Sequence, residues 1–304
     1  MLKVSYIVFK QKRKVIFLKY IVGEKAGFCF GVKNAVDSAK KKLESEKNMC
    51  CLGEIVHNAE VVKDLENRGM KFIESLDENT NKETTIIRAH GVSKSIYEEA
   101  EDNNIKLLDL TCPYVLRIHK MVSNYSEDNY YIFLVGAKKH PETIGTAGFC
   151  GVHYTILEDE NDIPTAVENF RKSKLNKIFM VVQTTYNLEK FKKYANQVEE
   201  MFKDTNTEVK VENTICLATQ ERQEETNKIS KEVDYMIIIG GRNSSNTKKL
   251  YEIAKKNCED TICIETYKEI DINNLAEKKY VGIMAGASTP QSSIDEVVNL
   301  VKNT

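Results

Sequence analysis

One recurring junction limits what this chain can fold into. Short apolar, β-rich runs end close to a residue able to do chemistry, and a helical pattern follows. Ile16–Val22 leads to Cys29, Met49–Val56 to His57, Thr84–Arg88 to His90, and Lys106–Leu110 to Cys112. Further on, Tyr130–Val135 leads to His140, Ile178–Val182 to Thr184, and Glu208–Val211 to Cys216. Last come Tyr235–Ile239, which leads to Ser244, and Tyr280–Met284, which leads to Ser288. Strands alternating with helices are the pattern of α/β domains built on parallel sheets. In such sheets ligands bind at the carboxyl ends of the strands. Because many separate strands contribute, several small sheets are expected, with their carboxyl edges facing one cavity. Cys29, Cys112 and Cys216 divide the chain into comparable parts, which predicts three similar αβ units without a clean residue-level repeat.

A chain of 304 residues, 41% hydrophobic and 29% charged, is ordinary for a globular protein. A formal net charge of -1 speaks against a dedicated nucleic-acid binder, which is usually basic. The eight cysteines are not framed as in a short secreted domain, so a reduced, cytoplasmic setting is expected. No apolar run approaches the roughly 20 residues needed to span a bilayer. Met1–Tyr20 mixes short apolar runs with Lys10, Lys12, Arg13 and Lys14. It reads as an extra edge strand or a misplaced start codon rather than a targeting segment, because the runs are too short and too β-rich for a signal sequence.

The cysteines carry the chemistry. Cys29, Cys112 and Cys216 each sit where a strand gives way to a helix, and Pro113 suits a first helical turn. A thiol at a helix N-terminus lies in a positive field and ionises readily. Three such thiols point to one shared electrophilic object, a metal or an iron–sulfur cluster. Cys50, Cys51, Cys150, Cys258 and Cys263 read instead as small buried apolar residues. There is no CxxC, so a zinc ribbon fits poorly. Three thiolates on a [4Fe–4S] cluster would leave one iron open to substrate.

His57, His90 and His140 end strands as the cysteines do, whereas His119 lies in a helical stretch and His153 in a β-like run. The first three could ligate a metal or donate hydrogen bonds to an anion. Thr184, Ser244, Ser245, Asn246 and Ser288 occupy cap-like positions. With Gly240, Gly241 and Gly286 they would form a phosphate site, since helix N-termini supply N–H groups and glycine permits close approach. No nucleotide-binding glycine motif is present. Glu142 is the acid embedded in such a junction, and reads either as helix charge complementarity or as a proton donor. Two other classes compete with an iron–sulfur enzyme: a non-catalytic iron–sulfur redox sensor and a zinc-dependent hydrolase.

Taken in order, the motifs form a specific set. They are Gly27-Phe28-Cys29 with Gly31-Val32, His57-Asn58, Arg88-Ala89-His90-Gly91, Thr111-Cys112-Pro113 and His140-Pro141-Glu142. Gln183-Thr184-Thr185, Thr214-Ile215-Cys216 with Ala218-Thr219, Ser244-Ser245-Asn246 and Ala285-Gly286-Ala287-Ser288-Thr289-Pro290 complete it. This set resembles the 4-hydroxy-3-methylbut-2-enyl diphosphate reductase family, which acts last in the non-mevalonate isoprenoid pathway.

The resemblance implies an α/β fold of three similar domains with small, mainly parallel sheets, arranged as a trefoil around a central cluster. Their expected bounds are 16–111 joined by 289–304, 112–212, and 213–288, with 1–15 as an extension. It implies one [4Fe–4S] cluster held by Cys29, Cys112 and Cys216, and a diphosphate bound by His57, His90, His140, Ser244, Ser245, Asn246 and Ser288. Thr184 falls beside the reacting end of the substrate, and Glu142 at the proton donor. The implied reaction is reductive dehydroxylation to isopentenyl and dimethylallyl diphosphate. Ferredoxin or flavodoxin would deliver the electrons, and neither nucleic acid nor membrane would be a partner.

Overall fold

A computed structural model describes residues 4–11, 14–46 and 49–304. In chain order the elements begin with β1 (Val4–Gln11), β2 (Lys14–Val22), α1 (Phe30–Ser45), β3 (Met49–Leu52), α2 (Ala59–Asn67), β4 (Met70–Ile73) and β5 (Thr85–Ile87). Next are α3 (Lys94–Asp102), β6 (Leu107–Asp109), α4 (Pro113–Glu127), β7 (Tyr131–Val135), α5 (Pro141–Ala147), β8 (Tyr154–Leu157) and α6 (Asp162–Ser173). Then come β9 (Lys177–Val182), α7 (Leu188–Phe202), β10 (Glu208–Val211), α8 (Leu217–Ile229), β11 (Tyr235–Ile239) and α9 (Ser245–Asn257). The chain closes with β12 (Thr261–Ile264), α10 (Ile272–Ala276), β13 (Tyr280–Ala285) and α11 (Gln291–Asn303).

These strands make three small sheets, ordered β1-β2-β13-β11-β12, β10-β9-β7-β8 and β4-β3-β5-β6. Pairing is parallel throughout except between β1 and β2. The expected α/β class with small, mainly parallel sheets is therefore what forms. β1 is an edge strand, as the N-terminal residues suggested. The sheet membership of two segments differs from the expected grouping. β2 pairs with β13, and Val297 and Val301 of α11 pack in the same core as Leu18 and Tyr20. These chain ends thus complete the sheet of β11–β13, not that of β3–β6.

The chain groups into two compact units. The first takes residues up to Val32, His57–Val61 and Leu217–Thr304. Alternate residues of its central strands face opposite sides: Ile237 and Ile239 meet α11, and Met236 and Ile238 meet Leu250 and Ala254 of α9. Covering both faces is why β11 reads YMIII rather than as an alternating pattern. The second unit, Lys33–Val56 and Val62–Cys216, holds the other two sheets. Phe133, Val135, Met180 and Val182 pack under α6 and α7, whereas Ile132, Leu134, Phe179 and Val181 pack against Ile118 and Val122 of α4.

β3 stops at Leu52, short of the expected Val56. Gly53 has a φ of +68°, and a Cβ there would stand 2.0 Å from a nitrogen of the Arg88 guanidinium. The Arg88 guanidinium fills the space a side chain at position 53 would need, and the left-handed φ of Gly53 turns the chain out of the strand. β4 and α6 were not expected from the pattern. Among the described residues no helix is long and apolar enough to cross a membrane.

Candidate active site

In the second unit the candidate residues are wired together through their caps. Cys112 is the N-cap of α4, Pro113 opens the helix, and the Cys112 N–H donates to the Ala89 carbonyl at 3.0 Å. That bond ties the cysteine to the turn carrying His90. His140 caps α5, and its Nδ1 accepts from the Glu142 N–H at 3.2 Å. In a neutral ring this leaves the proton on Nε2. The His90 and His140 rings meet edge to face with centroids 5.3 Å apart.

Glu142 is 2% exposed. Its Oε1 accepts from the Thr184 N–H at 2.6 Å and its Oε2 from the Thr184 hydroxyl at 2.7 Å. Burial pushes the carboxyl up to about 7, and the two Thr184 hydrogen bonds pull it the other way by favouring the ionised form. The Thr184 carbonyl in turn accepts from the Cys216 N–H at 3.2 Å. One threonine thus links a buried acid to a candidate ligand cysteine. Gln183 supports it from behind: its Oε1 accepts from the Ala137 N–H at 3.2 Å and the Thr143 hydroxyl at 3.3 Å.

In the first unit, Cys29 precedes α1, and its sulfur accepts from the Val32 N–H at 3.5 Å. Its own N–H donates to the Ala287 carbonyl at 3.1 Å. The Ser288 hydroxyl donates to the His57 carbonyl at 3.3 Å. A Cβ on Gly241 would stand 2.3 Å from that same carbonyl oxygen, so only glycine lets the two turns meet. Ser244 caps α9, its hydroxyl accepting from the Thr247 N–H at 3.3 Å. Ser245 and Asn246 open the helix. Asn246 is 2% exposed, and neither its side-chain oxygen nor its nitrogen has a hydrogen-bond partner. An orphaned buried amide is costly. A bound ligand presenting both donors and acceptors would satisfy it.

The sequence reading passed over Arg222 and Glu225, which grip the loop before Cys29. The Arg222 guanidinium donates to the Gly27 carbonyl at 2.6 Å. The Glu225 carboxylate accepts from the Glu24 and Lys25 N–H groups at 2.8 and 2.9 Å. A signal was available: α8 carries no apolar stripe, yet it buries Thr219, Arg222, Gln223 and Thr226. A buried polar helix has a task beyond packing. His119 also stood outside the expected set. It is buried, its ring stacks on Phe149 at 4.4 Å, and neither ring nitrogen has a hydrogen-bond partner. Burial pushes it down to about 4.

Comparison with known proteins gives the family. The family model described as LytB protein matches residues 21–302. The 4-hydroxy-3-methylbut-2-enyl diphosphate reductase of Clostridioides difficile (strain 630) is 40% identical over 286 residues, covering 93% of this chain and 98% of that protein. A solved reductase of the same name, described as the terminal enzyme of the non-mevalonate pathway, is 39% identical with a TM-score of 0.68, covering 94% of this chain and 99% of its own. The E-1-hydroxy-2-methyl-but-2-enyl-4-diphosphate reductase of Plasmodium falciparum superposes with a TM-score of 0.83 at 31% identity, covering 92% of this chain and 87% of its own. Matched by that family model over most of its length and 40% identical to a full-length relative, the chain belongs to the LytB protein family of 4-hydroxy-3-methylbut-2-enyl diphosphate reductases.

Proposed function

We propose that this chain reductively dehydroxylates (E)-4-hydroxy-3-methylbut-2-enyl diphosphate to isopentenyl and dimethylallyl diphosphate. Overall the substrate takes up two electrons and two protons, its C–O bond breaks, and water leaves. One proton goes to the departing hydroxyl. The other goes to either end of the allyl system, which gives the two products. The observation that carries the reading is Glu142: fully buried, pushed up to about 7, and held at both oxygens by Thr184. An acid poised near neutrality suits proton delivery.

Cys29, Cys112 and Cys216 would hold the iron–sulfur cluster, proposed as a single [4Fe–4S]. Their settings fit a thiolate ligand. Each is only partly buried and each stands at the start of a helix. By contrast, burial pushes Cys50 up to about 11 and Cys51 and Cys150 up to about 12, which disfavours ligation. When bound, such a cluster supplies electrons and an iron without a protein ligand that acts as a Lewis acid.

The protein's own part is binding, orientation and proton transfer. His57, His90 and His140, with Ser244, Ser245, Asn246 and Ser288, would bind the diphosphate. His140 offers Nε2–H because its Nδ1 is engaged by the Glu142 N–H. Asn246 offers an amide that lacks protein partners. Thr184 would stand at the reacting end, and Glu142 would give its proton to the leaving hydroxyl through or beside it. The structure pairs none of the eight cysteines in a disulfide, which suits the proposed cytoplasmic setting. The electrons would come from ferredoxin or flavodoxin. Glu142→Gln tests the reading. It should retain iron and substrate binding and lose most turnover, whereas near-normal turnover would remove Glu142 from the acid role.

A further inference from the structure

α8 is an unusual helix for a protein core. The face it buries is mostly polar, and two of its side chains, Arg222 and the partly buried Glu225, reach one loop. This loop, residues 23–29, carries Cys29 to the start of α1. Arg222 is 4% exposed, and its two terminal nitrogens go to different carbonyls: one to Ala218 in its own helix at 2.8 Å, the other to Gly27 in the loop at 2.6 Å. Gly27 holds a φ of +95°, and a Cβ there would stand 3.1 Å from Ile294 Cδ1. Only glycine holds this conformation in this space without strain. One turn along α8, the Glu225 carboxylate receives the Glu24 and Lys25 N–H groups. Lys25 also pairs with Glu221 at 3.0 Å, with both side chains partly exposed, so this contact adds little.

On its other side the loop is anchored by backbone bonds and by Ala26, which packs against the core. The Gly23 N–H donates to the Ile283 carbonyl at 2.9 Å and the Cys29 N–H to Ala287 at 3.1 Å. Without α8, the loop's inner carbonyl and N–H groups lose these charged partners. α8 begins one residue after Cys216.

The geometry points to Arg222 and Glu225 as positioning residues that set the Cys29 sulfur for cluster binding. The helix following one ligand cysteine thereby fixes the loop that presents another. Arg222 has a second consequence: its guanidinium is bonded to Gly27, two residues before Cys29, and its charge would favour the reduced, more negative cluster. This inference rests on the reading of Cys29 as a ligand, so its test separates the two.

The first readout uses the metal-free chain. Amide hydrogen exchange over residues 23–29 should speed up several-fold in Arg222→Met and in Glu225→Ala, with β7 and β9 unchanged as controls for folding. The second uses the anaerobically reconstituted holoprotein. Arg222→Met should release iron several-fold faster than wild type, and its midpoint potential should fall. Arg222→Lys should recover the potential and recover retention only in part, because an ammonium does not reproduce the planar two-carbonyl bridge. Should Arg222→Met not fold, Glu225→Ala carries both the exchange and the retention measurements. Unchanged exchange in the loop overturns the positioning role. So does faster exchange with wild-type iron retention and potential, provided Cys29→Ser loses iron. If Cys29→Ser itself keeps a normal cluster, the ligand reading fails, and this inference with it.

Discussion

Glu142 is a carboxylic acid where most proteins would place an apolar residue or a paired charge. Its burial raises the cost of ionisation, and the raised value near 7 makes it protonated for much of the physiological range. Turnover should therefore decline as pH rises through about 7, and Glu142→Gln should lose that limb along with on the order of 10²-fold or more of the rate. Linkage has a definite sign here. The folded value lies above the ordinary 4.5, so the neutral acid's contribution to stability is full below 4.5 and is lost as pH rises through about 7. Denaturant titrations should show Glu142→Gln flatter than wild type across that window. His119 runs the opposite way. Held down to about 4 from 6.5, it contributes stability above pH 6.5 that is lost as pH falls through about 4. His119→Phe, which retains the stacking on Phe149, should resist acid better over that interval, as read by melting temperature against pH. Both effects were illegible in the sequence. Two helical residues of ordinary composition acquire unusual values only through what surrounds them, and no spacing rule reports that.

At the scale of elements, α9 sets stability against the proposed diphosphate binding. Its first turn holds a satisfied cap, Ser244, and an unsatisfied amide, Asn246. Ser244→Ala should cost about 1 kcal/mol. Asn246→Leu should do the reverse in the ligand-free protein, stabilising it by roughly 1–2 kcal/mol by removing an orphaned buried polar group. The same substitution should abolish the rise in melting temperature that the diphosphate substrate produces in the wild type. A melt with and without substrate reads both. The elements themselves were mostly legible, because β7, β9, β11 and β13 are apolar runs buried on both faces. β4 escaped notice because it is a four-residue edge strand with only Met70 and Ile73 buried. α6 escaped because Pro164 reads as a breaker, yet it lies in the first turn, where N–H groups have no intrahelical partner anyway. The missing apolar stripe of α8 marks it as unusual, but which of its polar side chains are buried follows only from the packing.

At the scale of the whole molecule, strand ends could be read from the chain, but strand partners could not. Cys29, His57, His90, Cys112, His140, Thr184, Cys216, Ser244 and Ser288 follow strands because the carboxyl ends of parallel strands face ligands. Which sheet received β2 depended on side-chain packing of Leu18 and Tyr20 against β11, β13 and α11, a long-range choice. The same limit applies to the family's activity. The proposed ligation by Cys29, Cys112 and Cys216 has its own test, since an inorganic core bound only to the folded state should stabilise it. Chelation of iron under anaerobic conditions should accordingly lower the melting temperature by several degrees. The most direct measurement is the iron content of anaerobically purified wild type beside Cys29→Ser, Cys112→Ser and Cys216→Ser. The wild type should carry about four irons per chain with matching sulfide, and each single variant should lose most of them. A wild type holding zinc without iron, or three variants that all keep a full complement, would contradict the account.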